Sequence, residues 1–326
     1  MPETAPWITY RPAIKVLDCT IRDGGLINDS QFPDEFVKAV YEACVDAGID
    51  YMEIGYKNSP KVFSKDKYGP WRHCEEEAIR RIVGDNPTDL KISVMADAGG
   101  KCDWEKGFLP QSESVIDLVR VACYAHQISE AVEMIHHFSK LGYETTCNIM
   151  AISTTQDVEI IQALDVAANS PVGTVVIVDS FGALYSEQIR NLMFMYKKGL
   201  EGTGKEIGLH MHNNQQLAFS NTIEGIIHGA NRIDATIQGM GRGAGNCPME
   251  LLLGFLRNPK YKIRPIWQII EKEFFKLRGV MEWGPLPQYI MAGQYNQHPR
   301  SAMAARDDVA KRDLITEFFD KCITDI

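Results

Sequence analysis

The feature that most constrains this chain is an alternation repeated eight times along it. Each time, a short β-branched apolar run is followed by a longer run with helical periodicity. The strand-like runs fall at residues 15–20, 51–55, 91–95, 118–123, 144–149, 174–179, 206–212 and 232–237. Between them lie stretches such as DEFVKAVYEACVDAG, SEAVEMIHHFSKLG and LAFSNTIEGIIHGA. Several begin at Ser, Thr or Asp and stop at Gly, the residues that cap helix ends. Most of the strand runs lack in–out alternation, as expected of parallel strands covered on both faces. Consecutive βα units in this number favour closure into a (β/α)8 TIM barrel over an open sheet. Residues 1–257 are assigned to the barrel. Residues 258–326, where the βα rhythm stops, are assigned to a helical C-terminal extension. Within it, IWQIIEKEFFKLRGVMEW and RDDVAKRDLITEFFDKCI read as helices, and the Gly/Pro/aromatic stretch WGPLPQYIMAGQYNQHP separates them.

Charge narrows the partners. A net charge of −9 argues against nucleic acid or an anionic membrane. It leaves room for a small anionic substrate, because a metal ion and a few local cations set the field inside a site. No apolar run approaches the roughly 20 residues of a spanning helix. The N-terminus lacks the basic-then-apolar order of a signal peptide. None of the eight cysteines has CxxC spacing, and several sit in strand-like runs. They read as buried thiols in a reducing compartment, so a soluble cytoplasmic protein is expected. The apolar faces of IIEKEFFKL and LITEFFDKCI suggest a homodimer.

In a TIM barrel the active site lies at the C-terminal ends of the strands. The residues there are Thr20-Ile21-Arg22-Asp23-Gly24-Gly25 after the first strand, and Glu53, Tyr56 and Lys57 in or after the second. Asp179 and Ser180 follow the sixth, GLHMHNN ends the seventh, and QGMGRGAGN follows the eighth. In a strand, residues i and i+2 share a face, so His210 and His212 can project into one site. Two imidazoles and a carboxylate suit a divalent cation with open positions. Asp23 is the natural carboxylate, because only the eighth strand separates the first from the seventh. The bland reading of HxH is a pair of satisfied polar residues. A fixed Arg22 could hold an enolate oxygen or a keto-acid carboxylate, or it could be a turn residue paired with Asp23. In Gly239–Asn246 the loop could bind phosphate, Asn246 could complete a metal site, or the glycines could serve only a tight turn.

The motif LDCTIRDGG resembles the signature of the metal-dependent TIM-barrel lyases and synthases that include hydroxymethylglutaryl-CoA lyase and isopropylmalate synthase. VDSFGALY and the stretch from GLHMHNN through GMGRGAGNCPMELLL look closest to the 4-hydroxy-2-oxovalerate aldolase branch. The resemblance implies that Asp23, His210 and His212 hold Mn²⁺ or Mg²⁺, with Asn246 at or near the ion. It implies that Arg22 polarises the keto oxygen of a pyruvyl unit and that Ser180 lies near its carboxylate. Glu53 is carried with them as a substrate-side residue. The implied activity is a divalent-metal-dependent aldolase joining or cleaving a 2-oxo acid and an aldehyde. Alternatives are a Claisen-type acyl-CoA synthase and a non-catalytic metal-binding barrel.

One departure stands out. The aldolases carry an acid/base His three residues after the metal-binding Asp, and the synthases and CoA lyases carry Gln. Here that place is Leu26. The candidates to replace it are Tyr289, His298, His73 and a metal-bound water.

Overall fold

The computed structural model describes residue 11 and residues 13–324. Eight parallel strands close into a barrel in chain order, and the last pairs with the first. They are β1 (Lys15–Asp18), β2 (Tyr51–Tyr56), β3 (Lys91–Asp97), β4 (Leu118–Cys123), β5 (Glu144–Ile149), β6 (Thr174–Asp179), β7 (Glu206–Met211) and β8 (Arg232–Ala235). Around them run α1 (Thr20–Gly24), α2 (Asp34–Ala47), α3 (Glu76–Val83), α4 (Ile128–Lys140), α5 (Asp157–Ala168), α6 (Ser186–Gly199), α7 (Ala218–Ile227) and α8 (Met249–Leu256). The expected (β/α)8 barrel is the fold the chain adopts.

The helices close the core from outside. In α2 the buried side chains Phe36, Val37, Val40 and Cys44 recur at helical spacing on one face. Burying each such side chain contributes about 1.5–3 kcal/mol. All eight cysteines are buried. Helix starts differ from expectation in one respect. Side chains three residues downstream, Gln127, Glu159 and Gln188, accept the free backbone N–H at the N-caps Tyr124, Gln156 and Tyr185. The signal is thus the second half of a capping box rather than a leading Ser, Thr or Asp.

Inside, charge replaces much of the aliphatic filling usual in these barrels. Arg120 on β4, 1% exposed, reaches Glu53 on β2 and Asp234 on β8. Toward the N-terminal mouth, Glu144 accepts from Tyr51 and Lys91 and pairs with Arg232, which also holds Glu206. These bonds tie six of the eight strands together below the site.

The extension divides in two. α9 (Ile263–Ile269) packs on α2 and runs through a π-helical turn, Ile270–Phe274, into α10 (Phe275–Leu277). α11 (Pro287–Gln294), α12 (Arg300–Asp307) and α13 (Ile315–Thr324) form a second small core. Tyr289, Ala292, Ala302, Phe318 and Cys322 gather there with Ala244 of the loop after β8, so this core lies against the C-terminal mouth. Two expectations are corrected. The Gly/Pro/aromatic stretch contains α11, because Pro287 at its first turn has the φ and the missing N–H that a helix start tolerates. The single helix expected over residues 306–323 breaks at 308–314, where Asp308 accepts the N–H of Ala310 in a turn.

Candidate metal centre

The site begins with a strand that stops early. The Asp18 carboxylate accepts from Thr20 twice, from its backbone N–H at 3.1 Å and its hydroxyl at 2.6 Å. The same hydroxyl oxygen accepts from Ile237 N–H at 2.9 Å. These bonds end β1 at Asp18, two residues before the sequence reading, and turn the chain into the single-turn α1. Arg22 and Asp23 are carried on that turn, both buried.

Asp23 Oδ2 lies 3.4 Å from His210 Nε2 and accepts from Asn246 Nδ2 at 3.0 Å. His210 is the penultimate residue of β7. His212 lies just past the strand end, in an antiparallel bridge with Asn246. The two imidazole rings are 5.0 Å apart, centroid to centroid. Met211 between them packs into the outer core, as i, i+2 alternation requires. Burial first, then His210, Arg242 and Arg22, holds the His212 pKa far below its ordinary value. That ring is neutral and available as a Lewis base.

Three buried atoms of this cluster lack a hydrogen-bond partner: His210 Nε2, His212 Nδ1 and Asn246 Oδ1. Unpaired buried polar atoms call for a ligand or a water. The Asp23 carboxylate and His210 Nε2, 3.4 Å apart, are oxygen and nitrogen donors of the kind a divalent cation takes; His212 lies on the same cavity but outside the group whose ligand atoms are all within 4.8 Å of one another. Cys19 is among the residues missed in the sequence. Cys19, Asp23 and His210 offer ligand atoms all within 4.8 Å of one another. Cys19 reads as an ordinary strand thiol, and no spacing rule marks it. Burial, then Asp234 and Glu53, pushes its pKa well up, so the thiol stays protonated and is the weakest donor of the group.

Arg22 donates to Asp23 through Nη1 and to Glu53 Oε2 through Nε at 2.7 Å. Glu53 also receives Arg120 at 3.1 Å. His210 Nδ1 meets Asp234 Oδ2 at 2.9 Å. Burial alone would raise the Asp234 pKa, but Arg120 and His210 outweigh it and bring the carboxyl down to about 2.

A cavity of about 80 Å³ opens over this cluster. Arg22, Asp23, His210, His212 and Ser180 line it, as does Leu26. Its other polar residues are Tyr56, Asp97, Asn148 and Arg242. Burial raises the Asp97 pKa, against Lys101, Asn58 and the nearby arginines. Burial also pushes Tyr56 up to about 12. Asp97, Asn148 and Arg242 were not singled out in the sequence. Asp97 and Asn148 lie at or near the C-terminal ends of β3 and β5, where the strand-end rule could have found them.

Other sequence candidates lie elsewhere. Glu53 sits beneath Arg22 rather than on the cavity wall. Tyr289 is fully buried, and its hydroxyl oxygen accepts from Arg306 at 2.8 Å. His298 packs edge-on against Phe181, with ring centroids 5.4 Å apart. His73 Nδ1 meets the Asn58 carbonyl at 3.0 Å. The glycines of the last loop have a steric cause. At Gly245, φ is +82° and a Cβ would lie 2.0 Å from the Gly239 carbonyl oxygen.

The chain is similar to several known proteins. A 4-hydroxy-2-oxovalerate aldolase of Bacillus cereus is 29% identical over 322 residues, covering 93% of this chain and 89% of its own. An oxaloacetate decarboxylase of Mycobacterium tuberculosis is 29% identical over 258 residues, covering 76% of this chain and 71% of its own. Among solved structures, the N-terminal domain of a Bacteroides vulgatus protein superposes with a TM-score of 0.76 at 28% identity. It covers 92% of this chain and 99% of that domain. The HMG-CoA lyase of Bacillus subtilis shares the fold, with a TM-score of 0.68 at 16% identity over 85% of this chain and 96% of its own. The family model described as HMGL-like matches residues 13–269, and the chain belongs to the HMGL-like family.

Proposed function

We propose that this protein is a divalent-metal-dependent carbon–carbon lyase that cleaves or forms the bond between a 2-oxo acid, pyruvate or a near relative, and an aldehyde. One observation carries the reading. Asp23, His210 and Arg22 converge beside His212 in one small cavity, in a chain alignable with a 4-hydroxy-2-oxovalerate aldolase over 93% of its length. Asp23, His210 and His212 would hold the cation, Mn²⁺ or Mg²⁺, with Asn246 beside them. Bound there, it supplies Lewis acidity toward the oxygens of the 2-oxo acid.

The chain's own residues do the rest. Arg22, fixed by Asp23 and Glu53, presents a guanidinium where negative charge grows on the keto oxygen. Ser180 lies where the carboxylate of the 2-oxo acid would rest. In the cleavage direction a base takes the C4 hydroxyl proton and the C3–C4 bond breaks. The aldehyde leaves, and the enolate accepts a proton at C3. Leu26 cannot move that proton. Setting aside the ligand set and the arginines, the titratable groups on the cavity wall among the described residues are Asp97 and Tyr56. Asp97, with its raised pKa, is the better matched to proton transfer near neutrality.

The test is exchange of pyruvate methyl protons into deuterated water, followed by NMR, with and without metal, on wild type and Asp23→Asn. Exchange should require the metal and Asp23. Full activity after complete metal removal would overturn the reading.

Leu26 also favours a second reading, metal-assisted decarboxylation of a 2-oxo dicarboxylate. There CO₂ leaves with no hydroxyl to deprotonate, and the enolate takes one proton. Release of CO₂ without an aldehyde separates the two. Cytoplasmic residence is supported by buried thiols such as those of Cys19, Cys123 and Cys147, and no described helix is long and apolar enough to cross a membrane. A homodimer is supported by the exposed Phe275, Val309, Leu314 and Ile323 of the extension.

A further inference from the structure

The arginines of the site differ in what they hold. Arg22 is paired with Asp23 and Glu53, and Arg120 with Glu53 and Asp234. Arg242, in the loop after β8, lines the same cavity. Among the described residues it makes no ion pair. Its hydrogen bond is a long one, Nη2 to the Ser180 carbonyl at 3.4 Å, and its Nε is buried with no partner. The side chain as a whole is only half-buried, but its Nε is shut off from water, and such a group gains from a counter-charge. Guanidinium keeps its proton in proteins, so an anion that arrives with the ligand would supply that charge.

The surroundings keep that place open for an anion. Each carboxylate of the metal cluster is already held by another base: Asp23 by Arg22, Glu53 by two arginines, Asp234 by Arg120 and His210. The charged groups that act most on Arg242 besides Asp23 and the two tyrosines Tyr56 and Tyr124 include a further cation, Arg300. His298 stands nearby. Burial, then Arg242 and Arg300, lowers its pKa to about 4, so it brings no charge near neutrality. Gly243 helps set the loop in place, since its φ of +63° is a conformation that other residues rarely adopt.

Resting on the lyase reading above, we infer that Arg242 forms an anion subsite for the far half of the substrate. The aldehyde partner then carries a terminal oxyanion, a carboxylate or a phosphoryl group, that the planar guanidinium grips through two N–H donors.

The experiment measures binding by calorimetry in the presence of Mn²⁺. The ligands share a 2-oxo acid head and differ in the tail: 2-oxoglutarate, 2-oxo-4-phosphonobutanoate and 2-oxopentanoate. Wild type should bind at least one anionic tail about tenfold to hundredfold more tightly than the methyl tail. Which of the two it prefers identifies the oxyanion. Arg242→Gln should abolish that ratio, and Arg242→Lys, which keeps the charge without the fork, should leave part of it. If Arg242→Gln does not fold, by far-UV circular dichroism, the lysine variant and the wild-type ratio still decide. Equal binding of all three ligands by wild type would overturn the subsite. So would an equal loss for all three in Arg242→Gln, since Arg242 would then hold the shared head. The two readings fail separately: absent pyruvate proton exchange removes the lyase, whereas an absent tail ratio removes the subsite alone.

Discussion

His210 Nδ1 lies 2.9 Å from Asp234 Oδ2, and Arg120 holds the same carboxylate. An ionised carboxylate only accepts, so the imidazole proton resides on Nδ1 and the Nε2 lone pair is left toward Asp23. Replacing Asp234 by Ala frees the ring to rotate and to change tautomer. We expect Mn²⁺ affinity to fall about tenfold to hundredfold, read by electron paramagnetic resonance titration. Unchanged affinity would mean the carboxylate does not orient the ligand.

Arg120 is the hinge of the interior charge network. Arg120→Met leaves Glu53 and Asp234 buried with one fewer counter-charge. The expected loss is about 3–5 kcal/mol of stability, measured by urea denaturation. A loss below about 1 kcal/mol would show that water or proton uptake relieves the two acids.

Asp18 gives a pH dependence. Burial lifts its carboxyl to about 7 against its Thr20 hydrogen bonds, with Asp23 and Glu53 acting in the same direction as burial. Between the ordinary aspartate value of 3.8 and neutrality, the folded chain keeps a proton that the unfolded chain has released. Stability from this group is present at low pH and declines as pH rises through that window, by about 1.4 kcal/mol per unit. Asp18→Asn should flatten the decline, so the variant gains on wild type between pH 4 and pH 7. Parallel stability curves for the two proteins would refute the assignment.

If Asp97 carries the proton, Asp97→Asn should lower kcat about 10²- to 10⁴-fold while KM changes little, because the metal cluster still binds the 2-oxo acid. The acid limb of the kcat profile should vanish with it. Tyr56→Phe should cost less. Wild-type kcat in Asp97→Asn would point instead to solvent, and would favour decarboxylation, which needs no base.

The barrel was legible because its signal is periodic: eight apolar runs, each long enough to be a strand, each with a helix behind it. His210 and His212 were legible because two-residue spacing on a strand is a geometric statement. The end of β1 was not, because Asp18 stops the strand through a bond to Thr20 that local propensity does not register. Cys19 and Arg242 were missed for a related reason. A cysteine in an apolar run looks like core, and an arginine between glycines looks like a loop residue. Their meaning depends on which charges around them are already paired, and pairing is a property of the closed barrel. Tyr289 was a candidate only through the family resemblance, and its bond to Arg306 comes from a helix that the sequence pattern had merged with its neighbour.

The bridge between His212 and Asn246 has a consequence for timing. It is continued by Asn213 N–H to the Gly245 carbonyl at 2.8 Å and Cys247 N–H to the Met211 carbonyl at 3.2 Å. The exit of β7 and the glycine loop are therefore one piece of backbone knitting. Lifting that loop to admit a substrate would pull His212 away from Asp23, so the enzyme would be disarmed whenever this side stood open. Traffic through the cavity must then use the opposite wall, where the long segments after β2 and β3 begin.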